Sequence, residues 1–326
     1  MRIILTFSIL ILVLCAGCPQ TVPQPNDGLS EEPIGTPDFN VPEPLVEPLV
    51  PRKRLLEEAT EGESDTPEEM TGVVSDALGR YAAKVVPLPP IEDLVAQIDA
   101  YITRMGQSLD SLDGSPRYAA DAGDIVRDAN ALALIALAVG MSEMDSKYKK
   151  SASHIIEAAK KLAVATTLEE GQKAYEALKA SLTNTETSKP LSWSDRVADL
   201  GPAMKALPNL SSALKRVTDT EVRLNTNLDR RPQQIFSQLA AMAVISQGSI
   251  PNVTETEKTD AVEEWKRYCE EFRDAAIRAN VAIRRYAQER ADGKEPDYTI
   301  FRTAFLAMIE SCDDCHRAFY PNAVGM

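Results

Sequence analysis

Histidine is almost missing from this chain of 326 residues, which has only His154 and His316. That scarcity rules out a histidine-rich metal centre and leaves no distal acid–base pair of the kind a peroxidase-like enzyme needs beside its iron. Glycine is also scarce, at 15 residues, and no glycine-rich phosphate loop occurs. With few β-branched runs, the composition leans helical. Cationic charge is in deficit: 35 Lys and Arg stand against 49 Asp and Glu, for a formal charge of −14 and a pI near 4.8. Nucleic acid, which needs a basic footprint, is excluded as a partner. An acidic surface suits solubility and docking to basic patches on other proteins.

Cysteine is limited to five residues, and each has a reading. Cys312-Asp313-Asp314-Cys315-His316 is a Cys-x-x-Cys-His run, the attachment signal for c-type haem. The thiols of Cys312 and Cys315 would add to the two haem vinyl groups, and His316 would be the proximal ligand and iron-binding residue. A zinc site would need two more ligands, and beyond the leader the chain offers only the isolated Cys269 and His154. A thioredoxin-like pair would open a helix after a strand, whereas this pair lies near the end of a long amphipathic stretch. Cys269 falls on a helical apolar stripe and reads as a buried structural thiol.

The N-terminus supplies the remaining two cysteines. Residues 1–17 carry Arg2, an apolar run from Ile3 to Leu14, and small residues before Cys18, the pattern of a secretory signal. Leu14-Cys15-Ala16-Gly17-Cys18 resembles the bacterial lipobox, with Cys15 where leucine is usual. The resemblance implies lipidation of Cys18 and a lipoprotein anchored at the periplasmic face of a membrane. Residues 18–90 follow as a disordered Pro- and acid-rich tether, including Glu43-Pro44-Leu45-Val46-Glu47-Pro48-Leu49-Val50-Pro51. Within it, Val73, Ala77, Tyr81 and Val85 recur every four residues, the spacing of a short helix over 68–86.

From residue 91 onward the pattern is amphipathic and helical. Helices are expected over 91–112, 118–141, 146–165 and 168–182, then a break over 183–208 with Trp193 as an anchor. Four more follow at 210–228, 233–247, 258–290 and 297–320. The expected fold is therefore all-α, with two tandem antiparallel four-helix bundles at 91–208 and 209–326. Only the second carries the haem motif, and the two halves read as a degenerate repeat. Phe301, Phe305, Met308, Cys312, Cys315 and Phe319 alternate at steps of four and three, so both thiols are expected on the bundle-facing seam.

Residues 209–326 resemble class II c-type cytochromes, the cytochrome c′ family. The shared features are four helical patterns in order, the haem motif at the end of the fourth, and Cys315-His316-Arg317-Ala318-Phe319 as the family's Cys-His-x-x-aromatic. Tyr320 stands where the family commonly has arginine. The resemblance implies one covalent haem c on Cys312 and Cys315 with His316 proximal, and a homodimer through the first two helices. It also places the sixth iron position against the first helix, where Leu214, Val217, Val222 and Leu224 are apolar candidates. His154, Met242 and Met308 are weaker candidates for that position. The function implied is electron transfer to a redox partner protein or binding of a small gas, NO or CO, without catalysis. The alternative is a sensory or structural lipoprotein that engages a partner through its bundles, with haem as sensor or stabiliser.

Overall fold

The structure, a computed structural model, describes residues 86–112, 118–186, 190–256 and 258–320. Cys18, the leader and the tether up to residue 85, with all but the last position of the 68–86 helix, lie outside the described residues. Every regular element among the described residues is helical. In chain order these are α1 (Ile91–Ser111), α2 (Tyr118–Asp121), α3 (Gly123–Met141), α4 (Ala152–Ala163), α5 (Leu168–Ser181), α6 (Leu200–Thr218), α7 (Glu221–Arg230) and α8 (Pro232–Gly248). A 3₁₀ turn (Ile250–Glu255), α9 (Val262–Ala291) and α10 (Tyr298–Phe319) complete the chain.

Local chemistry sets several of the ends. Thr167 caps α5 by accepting from the Glu170 amide at 3.2 Å, while the Glu170 carboxylate accepts from the Thr166 amide at 2.9 Å. These reciprocal bonds satisfy amides that the first turn of a helix leaves unpaired. Thr220 caps α7 in the same way through Arg223, and Asp297 caps α10 through Thr299. Pro232 opens α8, where its missing N–H costs nothing.

Two expectations are corrected here. The helix expected over 210–228 is two helices, because Thr220 adopts an extended backbone and its hydroxyl starts α7 afresh. The break expected over 183–208 ends at Asp199, and α6 runs through Pro208. Proline removes one helical hydrogen bond, but Leu200, Ala203, Leu207, Leu210 and Leu214 form a buried stripe on both sides of it. Burial of that stripe offsets the loss and carries the helix past the point where the sequence suggested a stop. The boundary expected at 208/209 therefore falls inside α6. Trp193 is buried, as an anchor should be.

The core centres on α3 and α8. Both are buried on all sides over their central runs, Ala129–Val139 in α3 and Ser237–Gly248 in α8. Helix α3 packs against α1, α4, α6 and α8, and α8 packs against α1, α3, α6, α7 and α9. Their mutual approach is close enough that a Cβ on Gly248 would lie 2.7 Å from Leu134 Cδ2. Polar bonds join the same elements. Asp93 on α1 is fully buried and accepts from Gln233 Nε2 at 2.8 Å and Asn280 Nδ2 at 3.1 Å, and it pairs with Arg284. Beside it, Ser237 Oγ donates to Gln97 Oε1 at 2.9 Å.

Replacing Asp93 with alanine would leave Arg284, Asn280 and Gln233 without their shared acceptor. We expect a loss of about 3 kcal/mol, measured as a fall in the urea midpoint with an unchanged slope. A second expectation concerns alkaline pH. Burial, and then a hydrogen bond to Glu221, pushes the Tyr286 phenol up to about 12 from its ordinary value of 10.0. The fold favours the protonated form, so this stabilisation is complete below pH 10 and is lost as pH rises from 10 to 12. Urea titrations at pH 9 and pH 11 should show wild type losing stability across that step and Tyr286→Phe losing less.

Candidate functional site

The Cys-x-x-Cys-His run lies on the last turns of α10, which runs antiparallel to α9. Ring contacts hold the two helices together at both ends. Near the start of α10, Tyr298 meets Tyr286 of α9 at 6.4 Å between centroids. Near its end, Phe319 makes edge contacts with Trp265 at 5.1 Å and Tyr268 at 6.0 Å. Tyr298 Oη also donates to the Thr218 carbonyl at 2.6 Å, and Tyr320 Oη to the Glu255 carbonyl at 3.3 Å. Among the described residues, α10 packs along α9 and makes no comparably extensive contact with another helix.

The expected seam is present with one graded difference. Phe301, Phe305, Met308 and Phe319 are buried, while Cys312, Cys315 and His316 are half-buried. Both thiols pack against the core without being sealed in it. Asp313 and Arg317 point outward, and Arg317 pairs with Asp314 at 2.7 Å. Cys269 is fully buried on the facing side of α9, where its carbonyl accepts from Ser246 Oγ at 2.9 Å, in keeping with a structural thiol.

Electrostatics keeps all three groups neutral near pH 7. Burial pushes the Cys312 thiol up to about 11, with Asp313 adding to the shift. Burial and then Cys312 push Cys315 up to about 12, against the pull of Arg267. Burial lowers His316, with Asp313 opposing, so its imidazole is neutral and retains a lone pair for a metal. Among the described residues no three His, Cys, Asp or Glu side chains are grouped as a metal cage.

The surroundings suit a planar, apolar group bearing acidic side arms. Next to the motif, Trp265 and Phe319 are buried against one another, and the half-buried Tyr268 meets Phe319 edge-on. Cations line the same end: Arg267 stacks over Tyr268 at 4.2 Å, and Lys258 sits 5.4 Å from the centre of Phe319. Ser311 Oγ, immediately before Cys312, is buried without a hydrogen-bond partner. Two half-buried thiols, a neutral imidazole and flanking cations are a donor set of the kind that would hold a covalently attached porphyrin.

The other candidates are dispersed. His154 lies half-buried on α4, with Nε2 3.1 Å from the Glu186 carbonyl, and α4 packs on α3 and α5. Met242 is buried in α8, which packs on α9. Neither is brought to the motif. Met308 is buried on the motif's own helix. Of the apolar residues expected near the sixth position, Leu214 and Leu224 are buried and Val217 is half-buried, whereas Val222 is 76% exposed. Sequence reasoning placed Trp265 on an apolar stripe but missed the partnership of Trp265 and Tyr268 with Phe319. The signal was available in the three-residue step from Trp265 to Tyr268, which puts both rings on neighbouring positions of one helical face.

Comparison with protein-family models, curated proteins and solved structures finds no match for this chain.

Phe319 is the packing anchor of the motif's end of the helix. Phe319→Ala should cost about 3–5 kcal/mol and open water access to Trp265. Intrinsic fluorescence should shift to the red, and the denaturation midpoint should fall.

Proposed function

We propose that this chain is a c-type cytochrome, with one haem bound through Cys312 and Cys315 and ligated by His316. More particularly, we read it as an exported electron-transfer or gas-binding protein of the class II kind, held at the periplasmic face of a membrane by lipid on Cys18. The observation that carries the reading is the placement of Cys312, Cys315 and His316, half-buried on one turn of the terminal helix beside aromatic rings and cations. No helix among the described residues is long and apolar enough to cross a membrane, so the anchoring proposal rests on the N-terminal lipobox-like segment.

When bound, the haem supplies an iron that can exchange one electron and accept a diatomic gas. The residues of the chain set which use dominates. His316 offers a neutral nitrogen on the proximal side, because its burial disfavours protonation. The resemblance implies the first helix of the bundle opposite His316, but Leu214, Val217 and Leu224 flank Thr218 and Glu221, which meet Tyr298 and Tyr286 at the end of α10 away from the motif, and α6 itself carries Met204. As the class II resemblance implies, the sixth position would be open or sterically covered. We also read α1 with α3–α5 as a first, haemless bundle and α6 with α8–α10 as the haem bundle, fused through α3 and α8. The partner is a redox protein or a small gas, and a homodimer follows from the family resemblance.

One observation favours a second reading, a sensory or structural role in which the first half engages a partner. Asp93 on α1 bonds to Asn280 and Arg284 on α9, the helix against which α10 packs. A load on α1 therefore reaches the helix that carries Trp265 and Tyr268, though at its opposite end.

The test is the absorption spectrum of the ferrous protein, matured in a host that attaches c-type haem, before and after CO. A high-spin spectrum that CO converts is expected. A low-spin spectrum indifferent to CO would mean a strong sixth ligand and would confine the function to electron transfer.

A further inference from the structure

A groove lies well away from the Cys-x-x-Cys-His end, between α7, the start of α8 and the C-terminal third of α9. Its volume is 1060 Å³, and Leu228, Pro232, Phe236, Val281, Ala287 and Ala291 give it an apolar lining. Val281 is 58% exposed there, an apolar side chain left facing water. The charged lining residues are Arg284, Arg285, Arg290 and Asp229, and the arginines pair in turn with Asp93, Glu289 and Asp229. Arg284 Cζ sits 4.6 Å from the centre of the Phe236 ring, and its Nε is buried without a hydrogen-bond partner.

We propose that this groove binds a free single-chain amphiphile, a molecule with an acidic head and a hydrocarbon tail. The tail covers Val281, Phe236 and Leu228, and the head meets Arg285 and Arg290. Those two arginines already hold Glu289 at 2.7 Å and Asp229 at 3.0 Å, but pairs this exposed are weak and exchange readily with a competing carboxylate. Burying the exposed valine and its neighbours supplies the driving force, and the guanidinium groups set the sign of the head group. A free molecule is favoured over an anionic bilayer because the surface is concave and because the chain's net negative charge repels such a bilayer.

The test is titration calorimetry of the full chain with dodecanoate below its micellar range, alongside dodecyltrimethylammonium and phosphatidylglycerol vesicles. Saturable binding of one dodecanoate per chain is expected, with the cationic amphiphile at least tenfold weaker. Val281→Asp and Arg285→Glu, both at exposed positions, should each weaken dodecanoate at least tenfold while the melting temperature stays within a few degrees. Absence of saturable binding, equal affinity for the cationic amphiphile, or undiminished binding by both variants would overturn the proposal. Binding to the vesicles without binding to dodecanoate would also overturn it, in favour of a membrane-docking face.

Discussion

A helix with apolar side chains on every side of its central run cannot be stable at a surface, and this chain contains two such helices, α3 over Ala131–Val139 and α8 over Leu239–Ile245. Each must be covered on every side. They cover one another along the line where Gly248 meets Leu134, and the amphipathic helices α1, α4, α6, α7 and α9 cover the rest. This requirement draws the two halves of the chain into one continuous buried cluster instead of two separate cores. The Asp93 network adds direction to that packing. A fully buried carboxylate that satisfies donors from α8 and α9 fixes the register of α1, which apolar contact alone would leave free to slide.

The candidate haem helix stands apart from this arrangement. Helix α10 leans on α9 through rings at its two ends, and its cysteines sit where the buried seam gives way to solvent. A group attached there would have one side against that seam and another within reach of a partner or of water. That asymmetry suits the proposed function, because electron exchange requires an accessible edge and ligand chemistry requires an apolar enclosure.

Much of this was legible in the sequence, unevenly and for physical reasons. The last helix was expected over 297–320 and spans Tyr298–Phe319, because a capping aspartate, an unbroken seam and a long stripe agree. Helices α1, α5 and α8 were legible to within a residue or two for the same reason. Pro208 misled because proline ends helices by local rules, while the buried stripe through α6 acts by tertiary burial that local rules do not see. The break at Thr220 was hidden because leucines and valines continue across it, and only the hydroxyl cap distinguishes the two helices. The motif residues were recognisable from spacing alone. The Trp265–Tyr268–Phe319 cluster was not, because it joins residues from two helices whose facing register sequence periodicity does not specify.

The measurement that bears most directly on the central claim is the mass of the peptide containing Cys312 and Cys315, from protein matured in a c-type haem host and extracted with acidic acetone. The account predicts that this peptide retains the mass of one haem and that neither cysteine can be alkylated. Haem released by the solvent, with both thiols open to alkylation, would contradict it.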